Sequence, residues 1–423
     1  MTSRFLRLSS VLAAVLALAG CSQEIAEAPG ELIASDKQRA TEPDVSAGDM
    51  TALASANTDF GVALYRQVAK PGENLFFSPF SITQAFSMVY AGARGNTEQQ
   101  MRQALHFTLP PEQLHPAMNA LDLTLQRRNE LEPGQKGTPP ELRIVNATWG
   151  QQGYAFEPAY LDTLAVHYGA GVRAVDFKSE ADTIRNQINA WVESQTNDLI
   201  KDLLPPGTVT SNTRLMLVNA LYFKGQWTQP FEPRLTKDSP FHLLDGSQKS
   251  IKMMGRDGTF PLMRGEGFQA FALPYIGEKL RMLVVVPDTG RFEDIEARLS
   301  ADFLATVRQQ LQKEERILQF PKFQLDSGFA LRPALEALGM VDAFNDNADL
   351  SGISTQEHLR ITAAQHKAFV IVNESGTEAG AATGVGVGDD AVPEPLIVNR
   401  PFLFVIEDTE TKAVLFLGRL MKP

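Results

Sequence analysis

The chain is poor in the side chains on which most enzymes and metal proteins depend. Its 423 residues include one cysteine, Cys21, so it can form neither an internal disulfide nor a cysteine-based zinc site. The six histidines include no H-E-x-x-H pair, and neither G-x-S-x-G nor S-x-x-K occurs. Lysine and arginine form no block and the formal net charge is −11, which argues against nucleic-acid binding. We therefore expect a protein that is not an enzyme and that uses no metal or cofactor.

One large domain is predicted for residues 50–423, although the chain length alone would allow two or three domains. Composition stays uniform over this stretch, and 43% hydrophobic and 21% charged residues suit a sizeable core. Amphipathic helix patterns dominate the first half, whereas nearly continuous apolar runs such as residues 214–223 suit strands buried on both faces. Together they predict an α+β fold. One helix is predicted over residues 180–200, with Ser179 and Asp182 as its capping box.

The N-terminus carries a targeting pattern. Arg4 and Arg7 precede the apolar run "LSSVLAAVLALAG", which is too short to span a membrane as a mature helix. The run ends in Leu18-Ala19-Gly20-Cys21 and resembles a bacterial lipoprotein signal. That resemblance implies a cleaved signal peptide over residues 1–20 and lipidation of Cys21. The alternative is a plain secretory signal with a chance cysteine.

Residues 21–49 are predicted to be the lipidated cysteine followed by a disordered acidic tether. Seven acidic side chains face two basic ones here, and large apolar residues are almost absent. A coil of this length would hold the domain roughly 30 Å from the membrane. Ser22 does not resemble the usual inner-membrane retention residue, so the expected location is the cell envelope of a Gram-negative bacterium, at the outer membrane or cell surface.

A Gly- and Ala-rich segment near the end of the chain, "NESGTEAGAATGVGVGDD" (373–390), has the composition of a flexible linker and the period of a strand. From residue 377 onward, threonine, alanine and valine alternate with a second set, Glu378, Gly380, Ala382, Gly384, Gly386 and Gly388. The positions on one parity are Thr377, Ala379, Ala381, Thr383, Val385 and Val387. A chance alternation in a solvated loop is the simplest alternative.

Four stretches in sequence order together resemble the serpin family across residues 50–423. They are "NLFFSPFSITQAFSMVYAGARGNT" (74–97), "NALYFKGQW" (219–227), "NESGTEAGAATG" (373–384) and "NRPFLFVIEDTETKAVLFLGRL" (399–420). The resemblance implies a serpin fold, with helices packed around three β-sheets and an exposed reactive-centre loop. It also implies a monomeric suicide-substrate inhibitor of a serine endopeptidase, or alternatively a cysteine endopeptidase, trapped as a covalent acyl complex while the cleaved loop enters the central sheet.

The resemblance assigns roles within the Gly- and Ala-rich segment. The hinge residues are Glu374, Gly376, Thr377, Glu378, Ala379, Gly380, Ala381 and Ala382. Counting seventeen residues from Glu374 places the reactive bond at Asp390–Ala391. Cleavage after Val387 or Val385 is the alternative; it suits elastase-like proteases but shortens the inserted strand.

Five further positions match the family's conformational switch, namely Ser78, Ser81, Asn219, Trp227 and His366. Taken singly, each also fits ordinary packing, such as a core asparagine or a helix-capping serine. The alternative function is a non-inhibitory serpin-fold surface lipoprotein that acts as a binding protein. The small residues of the hinge favour the inhibitor, because non-inhibitory relatives tend to carry bulky, charged or proline residues there.

Overall fold

The structure is a computed structural model that describes residues 26–377 and 393–423. Local signals set where its helices begin. Proline occupies the first position of three of them, where its missing amide hydrogen has no helical partner to lose. Serine caps three helices, one of which also begins with proline. The helices of the described residues are α1 (Ala47–Val68), α2 (Pro79–Tyr90), α3 (Gly95–Ala104), α4 (Pro111–Gln126), α5 (Pro158–Tyr168), α6 (Phe177–Gln195), α7 (Phe292–Ala297), α8 (Ala301–Gln310) and α9 (Leu331–Ala337).

The strands of the described residues are numbered in chain order. They are β1 (Glu31–Ile33), β2 (Leu75–Phe77), β3 (Glu141–Gln151), β4 (Val172–Val175), β5 (Leu215–Gln226), β6 (Glu232–His242), β7 (Gln248–Gly265), β8 (Phe268–Pro274), β9 (Leu280–Pro287), β10 (Gln312–Pro321), β11 (Phe323–Ala330), β12 (Ile361–Asn373), β13 (Gly376–Thr377), β14 (Pro395–Ile397), β15 (Phe402–Asp408) and β16 (Val414–Leu420).

The strands confirm the expected α+β architecture but join into two hydrogen-bonded sheets rather than three. The central sheet has the order β1-β4-β3-β5-β13-β12-β11, and the second sheet contains nine strands. Strand β7 explains the lower count, because its 18 residues pair with β6 and β10 along one part and with β8 along another. It thereby links strands that would otherwise form separate sheets.

Strand β5 lies in the middle of the central sheet and is buried on both faces, as its apolar run predicts. Leu217 and Leu221 belong to the main core, which includes α1 and α2. Val218 and Ala220 point to the opposite face, where they pack with residues of α6. Any strand added beside β5 would therefore also be covered on both sides.

Helix α6 begins earlier than its sequence pattern predicts. Asp176 is its N-cap and accepts hydrogen bonds from the amides of Lys178 and Ser179, at 3.1 and 3.3 Å. The predicted capping box at Ser179 and Asp182 is therefore wrong. The backbone leaves helical geometry at Glu180, so the first turn is separated from the rest by a kink, and the predicted start fell near that kink.

The prediction of a disordered tether is wrong for its described part, residues 26–49. β1 pairs antiparallel with β4 and adds a strand to the edge of the central sheet. The indole nitrogen of Trp149 donates to the carbonyl of Pro29 at 3.1 Å. The acidic composition was misleading because this segment is held by backbone pairing and by polar contacts with residues distant in the sequence. Hydrophobic content does not indicate either kind of contact. Cys21 and the signal peptide lie outside the described residues.

Candidate functional site

The first part of the hinge, Gly376 and Thr377, lies within the top of the central sheet. β13 lies between β5 and β12, with Thr377 opposite Gly225 on one side and Val372 on the other. Gly376 has φ +153°, and a Cβ atom there would lie 2.1 Å from the carbonyl oxygen of Gly225. Only glycine allows this approach, so residue 376 fixes where the chain passes between the two strands.

Thr377 is fully buried and forms a hydrogen bond with the hydroxyl of Tyr275, at 2.9 Å. Tyr275 stacks on Trp227, with ring centroids 4.6 Å apart. The indole nitrogen of Trp227 donates to the carbonyl of Asn373, and its amide donates to the carbonyl of Ser375. The predicted position Trp227 therefore holds the turn that directs the chain from β12 back into the sheet.

Glu374 fixes the turn from its outer side. Its carboxylate accepts hydrogen bonds from the Lys322 ammonium and the Thr236 hydroxyl, both at 2.9 Å. Burial acts to raise the pKa of Glu374, but these two bonds and the lysine charge hold the pKa below its usual value. The carboxylate is therefore ionised at neutral pH and ties the hinge to β6 and to the link between β10 and β11.

Below the hinge, β5 and β12 pair directly with each other. Their parallel register runs from Tyr222–Phe369 down to Leu215–Ile361 and brings Asn219 opposite His366 at its centre. A further strand can extend downward from β13 only if these pairs separate.

The predicted switch residues meet at this central pair. The Ser78 amide donates to Nε2 of His366 at 3.1 Å, and Nδ1 of His366 is hydrogen-bonded to the side-chain oxygen of Asn219. The Asn219 amide donates to the Ser81 hydroxyl at 2.5 Å. Ser81 is also held by its amide, which donates to the Ser78 hydroxyl at 3.1 Å. Four of the five predicted positions thus form one buried network, and Trp227 lies at the hinge.

Asn146 belongs to the same network and was missed in the sequence. It lies opposite Asn219 on β3, accepts hydrogen bonds from Asn219 and Ser81, and donates to the side chain of Gln84 at 2.8 Å. The signal was present, because Asn146 interrupts the strand-like run "RIVNATW" in the way that Asn219 interrupts its own. A single polar residue in a strand is too common to identify a site without knowledge of what lies opposite.

Burial determines the protonation of this network. It lowers the pKa of His366 to about 3, so the imidazole is neutral at physiological pH. No group of three or more metal-ligating side chains occurs in the described parts of the chain. None of the described helices is both long and apolar enough to cross a membrane.

The remaining predicted positions lie outside the described residues. They are the hinge residues Glu378, Ala379, Gly380, Ala381 and Ala382, the reactive bond Asp390–Ala391, and the alternatives Val387 and Val385. The chain is described again from residue 393 and forms β14, which pairs parallel with β10 in the second sheet. The segment between these points joins the top of the central sheet to the second sheet.

The fold and the hinge define a class of protein in which a long segment connects the two sheets. The base of that segment lies in the central sheet, between two parallel strands. The family model described as "Serpin (serine protease inhibitor)" matches residues 55–423. The chain therefore belongs to the serpin family.

Individual relatives span nearly all of the described domain. Human Serpin B3 is 38% identical over 390 residues, covering 88% of this chain and 100% of that protein. The leukocyte elastase inhibitor of Sus scrofa is 38% identical over 387 residues, again covering 88% and 100%. The crystal structure of human thyroxine-binding globulin complexed with thyroxine matches with TM-score 0.80 and 29% identity, covering 89% of this chain and 99% of that one.

Proposed function

We propose that this protein is a suicide-substrate inhibitor of a serine endopeptidase, with a cysteine endopeptidase as the alternative target class. The protease cleaves the reactive-centre loop, and the acyl-enzyme is trapped when the cleaved loop extends β13 down the central sheet. The position of β13 carries the proposal, because its described residues, Gly376 and Thr377, lie between β5 and β12 just above the point where these two strands pair directly.

The register of β13 predicts which residues of β5 and β12 each later residue of the loop would lie opposite. With Thr377 opposite Gly225, an antiparallel extension brings residue 383 opposite Asn219 and residue 387 opposite Leu215, at the start of β5. On the β12 side, the pairing of Thr377 with Val372 brings residue 383 opposite His366. Thr383 would thus separate Asn219 from His366, and its hydroxyl can both donate to and accept from these two side chains.

The alternation along the segment matches the two faces that a strand inserted between β5 and β12 would have. Residues 379, 381, 383, 385 and 387 would share the face of Thr377 and join the main core, where Leu217 and Leu221 lie. The other parity would pass beneath α6, on the face of Val218 and Ala220. That parity carries Glu378 and then the small residues Gly380, Ala382, Gly384, Gly386 and Gly388. Small residues there would let a new strand enter without displacing the helix, which is why a glycine-rich segment also has a strand period.

The same register favours Asp390–Ala391 as the reactive bond. Residue 387 would reach Leu215, the first residue of β5, so Asp390 would lie just beyond the sheet and leave the whole strand free to insert. Cleavage after Val387 or Val385 would end the new strand at or above Leu215. The relative named leukocyte elastase inhibitor keeps these bonds as the alternative, because valine suits elastase-like proteases.

The deciding experiment incubates the protein separately with an Asp-specific endopeptidase and with an elastase-type enzyme. We expect a complex that survives denaturing electrophoresis with the first enzyme, and release of a C-terminal peptide beginning at Ala391 by mass spectrometry. Asp390→Ala should abolish that complex, whereas the matched neighbouring change Asp389→Ala should retain it. Turnover with every protease, without complex or gain in melting temperature on cleavage, would overturn the proposal and favour a binding protein, as thyroxine-binding globulin is by its name.

We also propose attachment to the cell envelope through lipid on Cys21, with residues 1–20 removed, at the outer membrane or cell surface. The support is the residue pattern around Cys21, where the only cysteine of the chain directly follows the apolar run. Cys21→Ser should move the protein from the membrane fraction to the soluble fraction, and the mature wild-type N-terminus should carry acyl chains by mass spectrometry. Equal partitioning of both variants would support the plain secretory signal.

A further inference from the structure

An N-terminal strap, residues 28–40, crosses from the central sheet to the helices behind it. It lies outside residues 55–423, the part of the chain that the family model matches. Its first part extends the sheet through β1, which pairs with β4. Its second part leaves the sheet, and the Ala40 amide donates to the carbonyl of Val166 on α5 at 2.9 Å.

Arg39 joins the strap to α4 through its side chain. Its guanidinium donates to Asn119 at 2.8 Å and to Asp122 at 2.5 Å, both on α4. The side-chain exposures of Arg39 and Asp122 are 21% and 7%, so this is a largely desolvated ion pair. Asn119 returns a hydrogen bond to the carbonyl of Ala40 at 2.7 Å. The strap is thus tied to α4 at both residues.

The two ends of the strap belong to parts of the molecule that must move apart for a strand to insert. A new strand between β5 and β12 needs about 4.8 Å of additional width. β12 is held to the body of the protein, because it contacts β2 and α9, and α9 contacts α1. The side formed by β1, β4, β3 and β5 must therefore shift, whereas α4 packs on α1 and stays with the body.

At its C-terminal end α4 continues into a turn in which Asn129 exchanges two hydrogen bonds with the backbone of Leu142 on β3, at 3.1 and 2.6 Å. At the level of Arg39 the helix is separated from β3. A cavity of about 150 Å³ lies between them, lined by Asp122 and Gln126 of α4 and by Ile144 and Asn146 of β3, with Arg39 also in its wall. The strap therefore bridges this cavity, and its contacts oppose the movement together with those of the turn after α4.

We propose that the strap is a brake on loop insertion, with Arg39 as the positioning residue that joins the movable side of the sheet to α4. The brake rests on the insertion mechanism proposed above. It stabilises the form in which β5 and β12 are paired and is strained or released once a full strand has entered. It would therefore slow spontaneous insertion while still yielding to the larger driving force that follows loop cleavage.

The test compares melting temperatures of the uncleaved and loop-cleaved full-length protein for Arg39→Ala. A second variant, Arg39→Ala with Asp122→Asn, avoids leaving a buried carboxylate unpaired. Lys37→Ala is the matched control, because Lys37 is 60% exposed in its ion pair with Asp162 and such pairs contribute little. We expect both Arg39 variants to lower the melting temperature of the uncleaved form by about 2–4 °C and to leave that of the cleaved form unchanged.

A kinetic measurement adds a readout that a purely structural contact would not move. Two rates are measured, that of complex formation and that of the spontaneous loss of inhibitory activity on warming. We expect both to be about three- to tenfold faster in the two Arg39 variants and unchanged in Lys37→Ala. Equal losses of melting temperature in both forms, or unchanged rates, would overturn the brake alone. If cleavage of the wild-type protein gives no gain in melting temperature, the proposed function fails, and the brake fails with it.

Discussion

The backbone amide of Ser78 donates a hydrogen bond to Nε2 of His366 at 3.1 Å. A backbone amide can only donate, so Nε2 is unprotonated and the ring proton lies on Nδ1, where it is donated to the side-chain oxygen of Asn219. The Asn219 amide is then directed to Ser81. One tautomer of one histidine thus orders a chain of hydrogen bonds that joins α2 to the two strands between which the loop would insert.

Replacing His366 by alanine should destabilise the uncleaved protein. The change leaves the Ser78 amide and the Asn219 carbonyl oxygen without their buried partner and opens a cavity, so we expect a loss of about 2–4 kcal/mol in the free energy of unfolding. The measurement is the unfolding midpoint of the uncleaved form. His358→Ala is the control, because His358 is exposed and should change stability little. Equal effects of the two changes would show that the network does not hold β5 and β12 together.

Acid should destabilise the uncleaved form through its buried histidines. Burial lowers the pKa of His115 to about 4 and that of His366 to about 3, against about 6.5 in an unfolded chain. Both histidines are neutral in the folded protein, so their burial does not reduce the free energy of unfolding above pH 6.5. Below pH 6.5 the free energy of unfolding decreases as the pH falls toward the folded pKa values, because the unfolded chain binds protons that the folded protein does not. Each histidine should then reduce stability by about 1.4 kcal/mol per pH unit.

The pH effect can be separated from carboxylate titration with a variant. His115 forms a 2.7 Å hydrogen bond with the hydroxyl of Tyr168, and His115→Gln retains a polar partner without a group that titrates in this range. Unfolding midpoints measured from pH 7.5 to 4.5 should fall less steeply for His115→Gln than for the wild type. Parallel curves would contradict the assignment of this slope to His115.

The local sequence pattern predicted the α+β fold and the buried strand β5, whereas the hinge and the switch positions were predicted only from the resemblance to the serpin family. β5 is recognisable because an uninterrupted apolar run requires burial on both faces, and Asn219 stands out as the polar exception within it. Asn146 could not be assigned from its own strand, because its role depends on lying opposite Asn219. That register depends on the whole sheet, to which a single strand pattern gives no access.

The N-terminal strap could not be predicted for a different physical reason. Its sheet edge is held by backbone pairing over only three residues, Glu31–Ile33, and its ion pair joins Arg39 to a helix some 80 residues away. Neither contact leaves a hydrophobic period in the segment. Composition therefore indicated disorder where distant partners supply the order, which is the usual way in which tertiary context overrides local preference.

Replacing Thr377 by arginine should convert the inhibitor into a substrate. Thr377 is fully buried against Tyr275, so a charged side chain there would have to enter the main core before any later residue could follow. We expect the number of inhibitor molecules consumed per protease inactivated to rise at least about tenfold. Thr377→Ser keeps the hydroxyl and is the matched control, expected to stay near the wild-type value. Complex formation by Thr377→Arg at that value would contradict insertion through this position.

Gly376→Ala should act at the same entrance through the backbone alone. A methyl group would lie 2.1 Å from the carbonyl oxygen of Gly225 and 2.6 Å from Cα of Gln226, and neither backbone atom can move without parting the strands. Gly246 is the matched control: it also has positive φ, +83°, but its Cβ would meet nothing within 4 Å. Both changes should add backbone strain of about 1–3 kcal/mol, whereas only Gly376→Ala should also slow complex formation and raise the inhibitor consumed per protease. If the two variants inhibit equally well, the close passage at residue 376 is not required for the loop to enter the sheet.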